Sequence, residues 1–385
     1  MRDILASRIH GIDTSEIRKV FDLAAKIKNP LNLSIGQPDF PVPSPVKEAM
    51  VKALTDNKTG YTPTAGLVEL REAIAGYLEP KTKFRYEADN VIVSTGVASI
   101  LFLLFQAIVD KDDAVLLLDP YFLIYPALVK YHEARQYTVP EDFTTAHIEQ
   151  LKEQLKRDNK RLKLIIFASP SNPTGKILSR EQLTLLSQLA DEQDAVIASD
   201  EIYAAFDYEA KHVSMASLNP ARTLTLNGFS KSHAMTGLRV GYLAAPPQYA
   251  DIVQKMVTLQ QYTMVCAPHA VQWGAITALK TGIEEELKIM RRRRDLVVNK
   301  LKTVTTLPVP DGAFYVYPAI PIDSADFVTQ AIERRLLLVP GYIFSANRKS
   351  IRISYATREE VLEEGCDIFC QMVTSMKETM ASEAI

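Results

Sequence analysis

From residue 91 to residue 226 the chain alternates short β-branched or aliphatic runs with segments of helical periodicity. No other feature constrains its fold as strongly. Val91–Ser94, Ala114–Leu118, Arg135–Val139, Leu164–Ala168, Ala195–Ser199 and Thr223–Leu226 read as strands, and the segments between several of them as helices. Such alternation predicts an α/β fold whose mostly parallel sheet carries helices on both faces. In a sheet of that kind ligands gather at the carboxyl ends of the strands, so residues just after each run are the first candidates for a site. At 385 residues the chain is too long for one ordinary domain. We expect an N-terminal arm and part of a small domain in residues 1–45, a large ligand-binding domain in 46–284, and a small C-terminal α+β domain in 285–385. The smaller domain is thus built from both chain ends.

Composition excludes several function classes. Hydrophobic residues make up 47% and charged residues 23%, the profile of a globular enzyme and not of a disordered or membrane protein. A net charge of −2 offers no basic field for nucleic acid. Only three cysteines occur, and Cys366 and Cys370 stand four apart in a helical pattern, not in a CxxC pair. That usage fits a reducing cytoplasm. The opening Met1-Arg2-Asp3-Ile4-Leu5 lacks the apolar run and cleavage site of a signal peptide, and runs such as Ile100 to Phe105 are far too short to span a membrane. The six histidines show no metal-ligand spacing, so no metal is expected.

Outside the alternating region, Ile17, Val20, Phe21 and Ala24 predict a helix within residues 1–28, and Leu31 to Phe40 a strand entering a proline-rich turn. Helices are expected from near Ser44, from Leu67 to Tyr77 and from Glu284 to Leu301, where the run Arg291–Arg294 reads as a solvated face. Asp311–Tyr315, Leu337–Gly341 and Ser350–Tyr355 read as strands or turns, closed by a helix from about Arg358 to Met376.

The stretch Asn227 to Tyr242 sets a lone lysine, Lys231, among small and apolar residues, with Arg239 eight positions later. A partly desolvated lysine loses proton affinity and becomes a nucleophile able to form a Schiff base with an aldehyde. An arginine keeps its charge and offers a fork of donors suited to a phosphate. A compound that is both aldehyde and phosphate is pyridoxal phosphate. The segment resembles the lysine signature of the class I/II aminotransferases, which are fold-type-I pyridoxal phosphate enzymes, through every fixed position from Gly228 to Gly241. Without that resemblance it would read as a glycine-rich loop with one snorkelling lysine.

The resemblance implies roles for other segments, each at or near a strand end. In Ile35-Gly36-Gln37-Pro38-Asp39-Phe40, the Gly36 amide helps bind the substrate carboxylate, since glycine permits close approach; a plain turn is the alternative. Tyr61, in Gly60–Gly66, would reach the cofactor phosphate of a neighbouring subunit, which makes the active unit a homodimer; the alternative is a loop tyrosine packed on its own subunit. Val97 and Ala98, after Gly96, would offer helix-start amides to the phosphate, though bare glycine turns open many such helices. Phe122, in Asp119–Pro126, would stack on the cofactor ring, although three aromatics there are equally suited to a core. Gly175-Lys176 fails as a phosphate-binding P-loop, because Pro170 replaces its first glycine and Ile177 its Ser/Thr. Ser171–Gly175 resembles instead the family's Asn-Pro-x-Gly motif, with Asn172 bonded to the phenolic oxygen of the cofactor and placed beside the substrate. Asp200 would keep the pyridine nitrogen protonated and Tyr203 would also bond the phenolic oxygen. Arg352, in an Arg-x-Ser motif, would pair with the substrate α-carboxylate.

Two departures from the family pattern stand out. Gly228 replaces a serine often found three residues before the lysine, leaving Ser230 as the candidate hydroxyl, and Leu238 replaces a common tryptophan. His233 reads as a loop histidine. The resemblance therefore implies a cytoplasmic aminotransferase acting on an α-amino acid and a 2-oxo acid, with Lys231, Asp200 and Tyr203 as its catalytic residues. A carbon–sulfur lyase of the same fold type shares these residues. A non-catalytic regulator would need a DNA-binding module, and about 30 residues before the Gly36 motif are too few for one. Ala98 stands where some related aspartate aminotransferases carry a lysine for the distal carboxylate, which points to neutral, apolar or aromatic donors.

Overall fold

The computed structural model describes residues 4–10, 12 and 27–383; the helix expected around Ile17 to Ala24 lies outside them. After a short first strand, β1 (Leu31–Asn32), the chain builds one sheet from β2 (Val91–Ser94), β3 (Ala114–Asp119), β4 (Arg135–Pro140), β5 (Leu162–Ala168), β6 (Val196–Asp200), β7 (Thr223–Gly228) and β8 (Gly241–Ala244). Their order is β2-β8-β7-β6-β5-β3-β4. All run parallel except β8, which is antiparallel to both β2 and β7. The six strands read from the sequence are these with small shifts at their ends. β8 was not foreseen, because its four residues follow directly on the Lys231 signature with no turn signal between.

Side-chain alternation explains how the sheet is covered on both faces. On one face Val115, Leu117, Leu164, Ile166 and Leu226 pack against α3 (Val97–Ile108), α4 (Ile124–Tyr131) and α7 (Ala250–Gln261). On the other, Leu116, Leu118, Ile165 and Phe167 meet α5 (Thr145–Arg157) and α6 (Arg180–Gln193), while Val91, Val93 and Tyr242 meet α2 (Val68–Thr82) and α8 (His269–Ala278). β3 is therefore aliphatic as far as its last residue, Asp119. β4, at the edge, alternates instead: Tyr137 and Val139 are buried while Gln136 and Thr138 are exposed, and Pro140 ends it. α6 starts with a capping box, in which the Ser179 hydroxyl accepts from the Gln182 amide at 3.1 Å and the Gln182 side chain accepts from the Ser179 amide at 3.2 Å.

A second core forms around much shorter strands. β1 pairs in parallel with β10 (Leu336–Leu337), and β11 (Val339–Pro340), β12 (Ile351–Ser354) and β9 (Tyr315–Val316) form an antiparallel trio. Against them pack α9 (Glu284–Leu301), α10 (Ser324–Glu333) and α11 (Glu359–Glu383), together with Ile202, Tyr203 and Phe206 from the loop after β6. α1 (Ser44–Thr55) buries Val46 and Ala53. α2 continues beyond the expected Tyr77, past Pro80, until Lys83 ends it in the left-handed conformation.

The run Arg291–Arg294 is not a solvated face. Arg293, 9% exposed, grips the Asp39 carboxylate at 2.7 and 2.9 Å, and Arg294, 5% exposed, donates to Glu209 and to the Pro310 carbonyl. Successive helical residues turn by about 100°, so four in a row encircle the helix and some must face inward. Among the described residues no helix is long and apolar enough to cross a membrane, and no group of three or more His, Cys, Asp or Glu could hold a metal ion.

Candidate active site

At the carboxyl ends of the main sheet lies a cavity of about 330 Å³. It gathers Gly36, Val97, Ala98, Phe122, Asn172, Asp200, Tyr203, Ser230, Lys231, Arg239 and Arg352, segments up to 316 residues apart in the chain. Of the residues singled out from the sequence, Tyr61 alone is missing from its walls. That residue is 87% exposed on the single chain.

One end of the cavity is built from the junction of β2, β7 and β8. Gly96 takes a φ of +89° and leads into α3, whose first amides are those of Val97 and Ala98. A Cβ at Gly96 would collide with the Arg239 guanidinium, and one at Gly241 would lie 2.8 Å from the Val97 nitrogen. The two glycines thus keep open a cradle that any side chain would fill. Arg239, itself at a φ of +54°, donates to the carbonyls of Thr236 at 2.7 Å and Thr95 at 3.1 Å. No carboxylate pairs with it among the described residues. A helix start and an uncompensated cation make this end an anion site.

Lys231 occupies the middle. Its ammonium donates to the Gly36 carbonyl at 2.6 Å and lies 5.8 Å from the centre of the Tyr203 ring. Burial, and then the positive charges of Arg352 and Arg239, bring its pKa down to about 8. Asp200 closes β6 and is 3% exposed. It accepts from the Tyr125 hydroxyl at 2.9 Å and from the Ile202 amide at 3.1 Å, yet burial still pushes its pKa up to about 6. The Phe122 ring stands edge-on to Tyr125, with centroids 5.8 Å apart.

The other end belongs to Arg352, on β12 and only 2% exposed. Its guanidinium lies 4.6 Å from the Tyr315 ring centre and 5.1 Å from that of Phe344. It donates to Asn172 Oδ1 at 3.1 Å and to the Ser34 carbonyl at 2.7 Å, while its Nε is buried without a partner. No acidic side chain pairs with it among the described residues, and burial lowers its pKa. With Oδ1 committed to Arg352, the Asn172 amide group is left to donate into the cavity.

Two participants escaped the sequence reading. The Tyr315 hydroxyl bonds that of Tyr203 at 2.8 Å and occupies the space a Cβ at Gly36 would need. Tyr125 supplies the donor to Asp200. Both were visible only as aromatics near other motifs, and nothing local distinguishes them from core. His233 is not in the cavity; it is buried and bonded to Ser232 at 2.8 Å and to the Thr281 carbonyl at 3.0 Å.

Comparison with known proteins agrees with this geometry. The family model for aminotransferase class I and II matches residues 28–369. The chain is 37% identical over 376 residues to a probable aspartate aminotransferase of Methanocaldococcus jannaschii, covering 95% of this chain and 98% of that one. It is 35% identical over 388 residues to aromatic-amino-acid aminotransferase 2 of Thermococcus litoralis, covering 94% and 96% respectively. Among solved structures, a double mutant of Thermus thermophilus aspartate aminotransferase superposes with a TM-score of 0.88 at 32% identity, covering 96% of this chain and all of the other.

Proposed function

The chain belongs to the class I and II aminotransferases, which use pyridoxal phosphate to move an amino group from an amino acid to a 2-oxo acid, and from that premise we propose how its residues divide the work. The observation that carries the division is a pair of arginines, Arg239 and Arg352, without acidic partners among the described residues, at opposite ends of one cavity with a lysine between them. Two uncompensated cations in a partly desolvated site call for two anions. A phosphate and a carboxylate meet that demand.

The residues present fit the cofactor. The cradle at Gly96 and Gly241 is open to a phosphate, and the cavity falls within the roughly 300–1,000 Å³ usual for small-molecule sites. Val97, Ala98, Ser230 and Arg239 would hold the phosphate, Phe122 would cover the ring, and Asp200 would face the ring nitrogen. Asn172 and Tyr203 would donate to the phenolic oxygen. When bound, the cofactor supplies a ring that takes up the charge left as the substrate carbon loses its proton.

Lys231 is the covalent anchor and, once free, the base that carries the proton at the substrate α-carbon; its lowered proton affinity suits both tasks. Arg352 binds the α-carboxylate with its orientation already fixed by Tyr315, Asn172 and the Ser34 carbonyl, and the Gly36 amide assists it. Borohydride reduction of the holoenzyme followed by peptide mapping should place the label on Lys231. A label on Lys176 would sink the assignment.

Tyr61 acts in trans in a homodimer; its exposure on the single chain supports this. Mixing Lys231→Ala subunits with inactive Tyr61→Phe subunits should restore part of the activity, and hybrids that form without recovery argue against it. The donors are neutral amino acids, apolar or aromatic, because Ile35, Ala98, Leu101 and Phe122 line the cavity and the only cations among its described walls are Lys231, Arg239 and Arg352. Single-turnover rates for aspartate against alanine, leucine, methionine and phenylalanine test this, and a preference for aspartate overturns it. We place the enzyme in the cytoplasm on its three free cysteines. Division at about residues 45 and 284 is supported by the pairing of β1 with β10, which joins the two chain ends.

A further inference from the structure

Immediately after β4, Glu141 is a buried acid that the reaction outlined above does not use. The loop Ser171–Lys176 is wrapped around it. The Thr174 hydroxyl lies 2.8 and 2.7 Å from its two carboxylate oxygens, and the Ser171 hydroxyl is near enough to pull its pKa down. Its backbone carbonyl accepts from Lys176 Nζ at 3.1 Å and from the Gln182 side chain at 2.9 Å, while its amide donates to the Asp119 carbonyl at 2.7 Å. A single residue thereby ties the loop that carries Asn172 to the end of β3, from which the Phe122 segment departs. Glu141 also borders a small void, about 10 Å³, together with Phe122 and Asn172, which line the main cavity as well.

No arginine pairs with this acid among the described residues, and burial holds its pKa up at about 7 against the pull of Ser171, Thr174 and Lys176. The other titratable groups whose charges bear on it are Asp142 and Tyr317. A buried acid without a full ion pair weakens a fold once it ionises, while removing it leaves the buried Thr174 hydroxyl without its acceptor.

We propose that Glu141 is a positioning residue for the reaction: by holding Ser171 and Thr174 it fixes the loop so that Asn172 meets the cavity and Arg352 at the right angle. The proposal rests on the role given to Asn172 above. Glu141 touches neither substrate nor cofactor and acts only through that neighbour.

The test compares E141L, E141Q, T174V, N172A and the double variant E141L/N172A, each loaded with pyridoxal phosphate, at pH 8 where Glu141 is ionised. E141L should lower kcat by roughly tenfold or more, the cost of a lost charged hydrogen bond. T174V should do so to a smaller extent, and E141Q, which keeps an acceptor for Thr174, should retain most of the activity. The pH midpoint of the bound cofactor's absorbance should move in E141L in the same direction as in N172A. The unfolding temperature of E141Q apoprotein should equal or exceed that of the parent. In the double variant the further loss from E141L should vanish. An equal loss from E141L with and without Asn172 overturns the positioning role while leaving Asn172 in place. N172A with unchanged kinetics and absorbance instead overturns the role of Asn172, and this proposal with it. If E141L fails to fold, T174V alone decides: wild-type kinetics and an unmoved absorbance midpoint in T174V overturn the proposal.

Discussion

The two ends of the cavity are made in different ways. At the end proposed for the phosphate, Ser230, Lys231 and Arg239 come from one continuous stretch between β7 and β8, and Val97 and Ala98 from the single turn that meets it. At the end proposed for the substrate carboxylate, Arg352 from β12 is held by Ser34, Asn172 and Tyr315, each on a different segment and none of them near it in the chain. A site built from one stretch keeps its geometry as long as that stretch folds. A site built from four depends on the packing of both cores, and this is where distant substitutions should be felt.

Arginine removal separates the ends most sharply. Arg352→Leu should weaken every amino-acid substrate alike, by about 2–5 kcal/mol in kcat/KM, with cofactor affinity little changed. Arg239→Leu should do the reverse, releasing the cofactor at concentrations that saturate the parent. Equilibrium dialysis of the cofactor beside steady-state kinetics checks both. Equal effects of the two variants on both quantities would abolish the distinction between the ends.

Between the ends, Lys231 and Asp200 should reveal themselves by titration of the apoprotein. The folded pKa of Asp200, about 6, lies above the ordinary 3.8, so its contribution to stability is complete below pH 3.8 and lost as the pH rises through 6. That of Lys231, about 8, lies below the ordinary 10.5, so its contribution is present above pH 10.5 and lost as the pH falls through 8. Both penalties are in force near pH 7. Asp200→Asn and Lys231→Met should each raise the unfolding free energy of the apoprotein there, on the order of 2–3 kcal/mol, while abolishing activity. Urea unfolding at pH 4, 7 and 10 measures it; a stability of the parent that does not change between pH 4 and 7 contradicts the burial of Asp200.

Glycine substitutions probe the same contrast more gently. Gly96→Ala forces a Cβ into a positive φ and onto Arg239, and should cost about 1–3 kcal/mol of cofactor binding. Gly36→Ala meets the Tyr315 hydroxyl, the far end of a side chain, and should raise KM for the amino acid and leave the cofactor bound. The smallest effect is expected of Tyr125→Phe. Removing the hydroxyl that donates to Asp200 should raise the acid limb of the pH–rate profile by about one unit, or roughly 1.4 kcal/mol. An unmoved limb would show that Tyr125 serves packing alone.

This contrast also explains what could be read in advance. The parallel strands were legible because their signals are local, aliphatic runs between helical segments, whereas Lys231, Arg239 and the glycine turn before α3 took their reading from the family signature. Arg352, Asp200 and Asn172 were legible only through family resemblance, and the structure brings them to one cavity. Tyr315 and Tyr125 were not, since an aromatic in a strand or helix announces burial and says nothing of which hydroxyl it will meet. β8 was missed because it runs on from the Lys231 signature with no turn signal to set it apart, and Arg293 because a charged run looks solvated until the partner, Asp39, is found 254 residues away.

The place of β8 has a bearing on how the protein is made. β2 is the first strand of the main sheet to be synthesised, yet it pairs only with β8, the last, and some 147 residues separate their ends. Until residue 244 has left the ribosome, β2 and β7 each present a bare edge of the sort that recruits other chains. A nascent or truncated polypeptide ending before β8 should therefore be a substrate for chaperones and a seed for aggregation. The same short strand that brings Arg239 beside Lys231 also serves as the closing stitch of biosynthesis, so the catalytic centre cannot take shape before the sheet does.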